Sequence, residues 1–178
     1  FGGENIAACI VEPIAGSTGT LVPPKGYLQK LREICDKHGI LLIFDEVITG
    51  WGRTGSKFGA HEFGVTPDIM TMAKATTNGV VPMGVVACND YIYDAVMDSS
   101  PMGSVELFHG YTYSGIPVAV AAALAVQDIF EKEDIFNRAK NLAPYFQKGL
   151  FSLKDLDSVD NIRGYGMMGG IDMKLNTK

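Results

Sequence analysis

Ile40-Leu41-Leu42-Ile43-Phe44-Asp45-Glu46 is the stretch on which the fold of this chain turns. Five apolar residues stand in a row, most of them branched, with Gly39 before them and two acids after. A run of this length and composition predicts a strand buried on both faces of a parallel sheet, because a half-solvated strand alternates apolar with polar residues. Asp45 then falls at the strand's carboxyl end, the edge at which open α/β sheets bind ligands. A second run, Ile69-Met70-Thr71-Met72-Ala73, follows Pro67-Asp68 and ends at Lys74. Lys74 lies 29 residues beyond Asp45, enough chain for one crossover between parallel strands.

An acid and an amine on neighbouring strand ends suit a particular chemistry. A lysine taken out of water beside a cationic or apolar neighbour falls below its reference pKa of about 10.4 and becomes an amine nucleophile, for which an aldehyde is the natural target. Pyridoxal phosphate uses this pairing: the lysine forms a Schiff base with the aldehyde, and a carboxylate keeps the pyridine nitrogen protonated. The spacing equally suits two solvated charges at strand ends, so on these two residues alone both readings stay open.

The flanking residues narrow the choice. Val11-Glu12-Pro13-Ile14-Ala15-Gly16, then Phe44-Asp45-Glu46-Val47-Ile48-Thr49-Gly50-Trp51-Gly52-Arg53-Thr54-Gly55, then Ala73-Lys74-Ala75-Thr76-Thr77-Asn78-Gly79-Val80-Val81-Pro82-Met83-Gly84 occur in that order. Together they resemble the signature of the class III (ω-amino acid) aminotransferases, pyridoxal-phosphate enzymes of fold type I. His109-Gly110-Tyr111-Thr112-Tyr113-Ser114-Gly115 adds a fourth match, typical of the branch that resembles ω-amino acid:pyruvate and β-alanine:pyruvate aminotransferases. The resemblance covers nearly the whole chain.

That resemblance implies an α/β fold: a mostly parallel central sheet flanked by helices, forming the large cofactor-binding domain with its interdomain helix over residues 1–155. Residues 156–178 would begin a small α+β C-terminal domain. It implies that Lys74 holds the cofactor and shuttles a proton, that Asp45 keeps the pyridine nitrogen protonated, and that Val47 packs on one face of the ring. Glu12 would position polar groups near the site, with an exposed strand-end acid as the plainer reading. Trp51 and Arg53 would sit near the entrance, or simply pack a loop. Thr112 would donate to the cofactor phosphate of the other subunit, which implies a homodimer with shared sites. The partners are then a small-molecule amino donor and a keto acid acceptor, pyruvate in this branch. The donor is left open, since the residues that choose β-alanine, taurine or an aryl amine lie largely outside these motifs. Two departures stand out: Ala75-Thr76 replaces the more usual Gly-Leu after the lysine, and Ile116 stands where relatives often carry histidine.

Composition sets bounds. At 178 residues and 47% hydrophobic the chain can bury a core, and a net charge of −5 offers no basic face for nucleic acid. No run of 18 uninterrupted apolar residues predicts a membrane span. Cys9, Cys35 and Cys88 are scattered without metal-ligand spacing, as expected of reduced thiols in a cytoplasmic protein. A start at Phe1 and a stop at Lys178, just after a strand-like run, read as an internal piece of a longer enzyme.

Around the two central runs we expect a strand over 6–11 and a crossover helix over 26–38 with Leu28, Leu31, Ile34 and Cys35 inward, ended by Gly39. A short helix at 58–63, an antiparallel strand at 85–88 and a helix at 90–97 follow, then a mobile loop at 99–106. Pro117 opens a helix over 118–131, and 135–153 continues as a second, kinked at Pro144. Strands at 159–163 and 167–173 are joined by Gly164-Tyr165-Gly166. The turn at Gly16–Gly19 reads as a plain loop, and His38, His61 and Cys35 read as structural. Three other functions compete: an aminomutase or racemase of the same fold; a non-catalytic piece lacking the segments that hold phosphate and substrate carboxylate; and a dinucleotide-binding domain. The last is disfavoured because no Gly-x-Gly-x-x-Gly opens a helix after the first strand.

Overall fold

The computed structural model describes residues 2–102, 107 and 109–174. Four strands form the central sheet in sequence order: β1 (Ala8–Val11), β2 (Leu41–Asp45), β3 (Ile69–Met72) and β4 (Val85–Cys88). The first three are parallel and β4 returns antiparallel to β3, as expected for the hairpin after Lys74. Crossover helix α1 (Tyr27–His38) buries Leu28 and Cys35 against Leu42, Phe44, Ile40 and Val65, and Gly39, at φ 66°, ends it. The short α2 (Gly59–Phe63) follows β2, and α3 (Asp90–Ser99) follows β4. Next come α4 (Pro117–Lys132), with Pro117 in its first turn, and α5 (Ile135–Phe151), which runs on past Pro144. A separate antiparallel hairpin, β5 (Val159–Tyr165) and β6 (Met168–Met173), closes the described chain.

Several expectations are corrected. Among the described residues the α1 side of β2 is the better covered: Leu42 and Phe44 are fully buried, whereas Leu41, Ile43 and Asp45 are half-buried. On the other side Ile10 is 61% exposed and Val86 70%. Within the described residues α1 covers one face of the sheet. Ile34 of α1 points outward and is exposed. α3 runs two residues further than its pattern indicates, and 103–106 of the expected loop lie outside the described residues. The last two strands extend through Gly164 and Tyr165, so the turn is the tighter pair Gly166-Met167, with Gly166 at φ 57°.

The amino-terminal edge of the sheet is tied by one carboxylate. Asp68 Oδ2 accepts the Leu42 N–H at 2.6 Å and Arg32 Nη1 at 2.8 Å, while Oδ1 accepts the Tyr91 hydroxyl at 2.8 Å. Burial alone would push this carboxyl up, but the Leu42 N–H, Arg32 and Tyr91 together hold it below its ordinary 3.8. A carboxyl whose native pKa is depressed stabilises the fold above the unfolded value and loses that contribution as pH falls through the native one. Asp68→Asn is therefore expected to cost about 2 kcal/mol at neutral pH, leaving Arg32 with Asp36 alone. That difference should shrink as pH falls below 3.8. Urea unfolding of both forms at pH 7 and pH 3 checks this, and an equal gap at the two pH values refutes it.

Candidate active site

Parallel pairing sets Asp45, the last residue of β2, beside Thr71 of β3, and Lys74 follows three residues later. Lys74 opens a tight turn (Lys74–Thr76) with its own backbone in the left-handed region, φ 49°, an uncommon state for a residue with a β-carbon. Its side chain reaches a cleft of about 700 Å³, whose walls include Gly16, Val47, Arg53, Lys74, Asn78 and Met168. That volume lies within the range of about 300–1,000 Å³ usual for small-molecule sites.

The expected site residues are only partly brought together. Val47 and Lys74 both line the cleft, as does exposed Arg53. Asp45 and Glu12 connect to the walls through hydrogen bonds. Asp45 Oδ1 accepts the Val47 N–H at 3.0 Å, and Glu12 Oε2 accepts the Gly16 N–H at 2.8 Å. Trp51 does not line the cleft but packs half-buried behind it, its indole N–H donating to Thr76 Oγ1 at 3.0 Å. Thr112 stands in an exposed turn before α4, and among the described residues it neither lines the cleft nor bonds to a residue that does.

Sequence reasoning missed Glu46. Its side chain is fully buried, yet it accepts three donors: the Thr49 hydroxyl at 2.5 Å, the Gly59 N–H at 2.8 Å and the Ala60 N–H at 2.7 Å. Its own carbonyl takes the Gly50 N–H at 2.9 Å, and its N–H donates to Thr71 at 2.9 Å. A carboxylate held by three donors is tolerated in a core, and here it pins both ends of the 47–58 loop that carries Val47 and Arg53. Position 59 has no room for a side chain, because a β-carbon there would stand 2.7 Å from Pro13 Cβ and 3.2 Å from Glu46 Oε2. The only trace in the sequence is the second acid of the Asp45-Glu46 pair; the partners 13 and 14 residues later carry no side-chain signal.

The β5–β6 hairpin forms the far wall. Its turn docks on the glycine-rich loop, where the Met167 N–H donates to the Arg53 carbonyl at 2.8 Å, and a β-carbon at Gly166 would stand 2.6 Å from that carbonyl. Arg163 Nε donates to the Gly19 carbonyl at 2.8 Å while its guanidinium forks onto Asp172 at 2.6 and 2.8 Å. Gln147 of α5 donates to the carbonyls of Gly166 and Met168 at 2.8 and 2.9 Å. The Tyr165 hydroxyl donates to Glu62 Oε1 at 2.6 Å; burial and then that carboxylate push its pKa up to about 12, so it stays a donor at any physiological pH.

These residues fit an aldehyde-bearing pyridine cofactor. An exposed amine enters a cleft walled on one side by a branched apolar residue, and Asp45 Oδ2 has no donor among the described residues, so it remains able to accept a ring N–H. Among the described residues no cluster of acidic, histidine or cysteine side chains suits a metal, and no helix is long and apolar enough to cross a membrane.

Comparison with known proteins agrees with this geometry. The family model for class-III aminotransferases matches residues 2–178. An omega-aminotransferase of Caulobacter vibrioides is 56% identical over 171 residues, covering 96% of this chain and 39% of the relative. A beta-alanine–pyruvate aminotransferase of Pseudomonas aeruginosa is 55% identical over 171 residues, 96% of this chain and 38% of its own. Among solved structures, a thermostable (S)-enantioselective omega-transaminase from Thermomicrobium roseum superposes with a TM-score of 0.90 at 42% identity, covering 97% of this chain and 38% of that one. The chain thus spans about two fifths of the length of the relatives it matches.

Proposed function

This chain belongs to the class III aminotransferases, and on that premise we propose that its protein uses pyridoxal phosphate to move an amino group from an ω-amino acid or amine to a keto acid, pyruvate in the first instance. The observation that carries the reading is the placement of Lys74 and Val47 on one cleft, with the Asp45 strand end bonded to Val47. When bound, the cofactor supplies an aldehyde for amines and a ring that accepts electrons.

The residues then divide the work. Lys74 Nζ would hold the cofactor through its aldehyde, and the same amine is the group placed to move a proton at the site. Asp45 would keep the ring nitrogen protonated, and the Val47 N–H fixes the rotation of that carboxylate. The Val47 side chain, on the cleft wall, would cover one face of the ring. Glu12 holds the loop at Gly16, and Glu46 holds the 47–58 loop, so neither wall must reorganise when a ligand enters. Arg53 places a cation at the mouth. Thr112, exposed and away from its own cleft, suits the role of phosphate donor in the site of a second subunit, which makes the active form a homodimer. We place a domain boundary between residues 155 and 156, a division the separate β5–β6 sheet supports, and the three free thiols support a cytoplasmic location.

Borohydride reduction of the full-length protein with pyridoxal phosphate, followed by peptide mapping, tests the anchor. A stable adduct on Lys74 is expected; one on another lysine such as Lys57, or none, overturns the reading.

A further inference from the structure

Lys74 sits in a strained turn, and the turn is held from outside by one bond. Lys74 and Trp51 both carry β-carbons in the left-handed region, at φ 49° and 60°, conformations that persist only where their surroundings enforce them. Within the turn the restraints are local: the Thr76 N–H to the Ala73 carbonyl at 3.0 Å, the Gly79 and Thr77 N–H groups to the Lys74 carbonyl at 3.3 and 3.4 Å, and the Thr77 hydroxyl to the Val81 carbonyl at 2.5 Å. Among the described residues, the only hydrogen bond reaching 74–79 from outside the 73–81 segment is Trp51 Nε1 to Thr76 Oγ1 at 3.0 Å. The Thr76 hydroxyl, almost fully buried, passes it on by donating to the Ala73 carbonyl at 3.1 Å. The donor itself is fixed, because the indole packs 4.9 Å from the Phe58 ring and 5.9 Å from Phe130 of α4.

We propose that Trp51 and Thr76 act as positioning residues: the indole–hydroxyl–carbonyl line clasps the 74–76 turn to the 47–58 loop and to α4, and so sets the direction in which the Lys74 amine enters the cleft. The proposal rests on the cofactor reading above for what Lys74 meets, but the clasp itself does not. A side chain without the hydroxyl leaves the indole N–H without its partner, and a phenylalanine removes the donor while keeping the ring packing.

Hydrogen exchange of the cofactor-free, full-length protein judges the clasp first. In Thr76→Val and in Trp51→Phe, amides of the 73–81 peptide are expected to exchange about tenfold faster than in the unaltered protein, with α1 peptides unchanged. Thr76→Ser, which keeps the hydroxyl, should exchange at the unaltered rate, and the double variant Trp51→Phe/Thr76→Val should exchange no faster than the faster single. The second arm measures the rate of borohydride trapping of pyridoxal phosphate on Lys74, expected to slow about tenfold in both singles and to be retained in Thr76→Ser. Unaltered exchange in the singles overturns the clasp. Faster exchange with undiminished trapping overturns its role in aiming Lys74. Absence of trapping on Lys74 in the unaltered protein instead overturns the cofactor reading and with it that role, while the exchange arm still decides whether the clasp exists.

Discussion

Lys74→Ala is expected to abolish the borohydride-stable adduct with pyridoxal phosphate and to lower transaminase turnover by about 10⁴-fold or more, with an unchanged melting temperature. On the proposed function the magnitude follows from two losses at one atom: the amine that would form the covalent link, and the group that would move the proton, itself worth about 10²–10⁴-fold. The unchanged stability follows from the structure. The Lys74 side chain is exposed and makes no ion pair among the described residues, so removing it opens no cavity and strands no charge. Alanine keeps a β-carbon, so the left-handed backbone is neither relieved nor worsened. Glycine at the same position would confound the result by relaxing the turn. Turnover, adduct mapping and a thermal melt on the full-length protein together check the prediction. Retained turnover, or a fall in stability large enough to explain the loss, would remove Lys74 from the centre of the site.

What the sequence made legible was the part of the molecule governed by local pattern. Branched apolar runs ending in Glu12, Asp45 and Lys74 located three parallel strands and the edge at which they present polar groups. The glycine after His38 and the proline at 117 located helix ends through their backbone requirements. Relations spanning elements were not legible. Ile34 fits the helical spacing yet faces outward, because spacing fixes a stripe's period but not its edge. Two of the three donors to Glu46 are backbone N–H groups 13 and 14 residues on, which carry no side-chain signal, and the third is the hydroxyl of Thr49. The pairing of Trp51 with Thr76 joins two segments 25 residues apart, neither of which shows a pattern in isolation.

Glu46 and Asp45 are adjacent in the chain and opposite in fate, which bears on how the second large effect should be read. Successive residues at a strand end point to opposite sides, so Glu46 enters the covered side and is saturated by three donors, whereas Asp45 stays half-buried with one oxygen bonded and one open. Asp45→Asn is therefore a nearly pure change of charge. The asparagine carbonyl can still accept the Val47 N–H, so the loop and the apolar wall keep their places, and pyridoxal phosphate binding is expected to hold within a few-fold. What would be lost, on the proposed function, is the anion that would keep the ring nitrogen protonated. Removing one such preorganised group typically costs about 10²–10³-fold in rate. The expected result is thus a holoenzyme that traps cofactor on Lys74 normally and turns over about 10²–10³-fold more slowly. Single-turnover kinetics should place the loss in the chemical step rather than in donor binding. A rate close to that of the unaltered protein would mean that Asp45 serves the loop and not the ring. Lost cofactor binding with an intact fold would mean that its charge acts in recognition rather than in the chemical step, so the two measurements separate the roles that position alone assigns to one carboxylate.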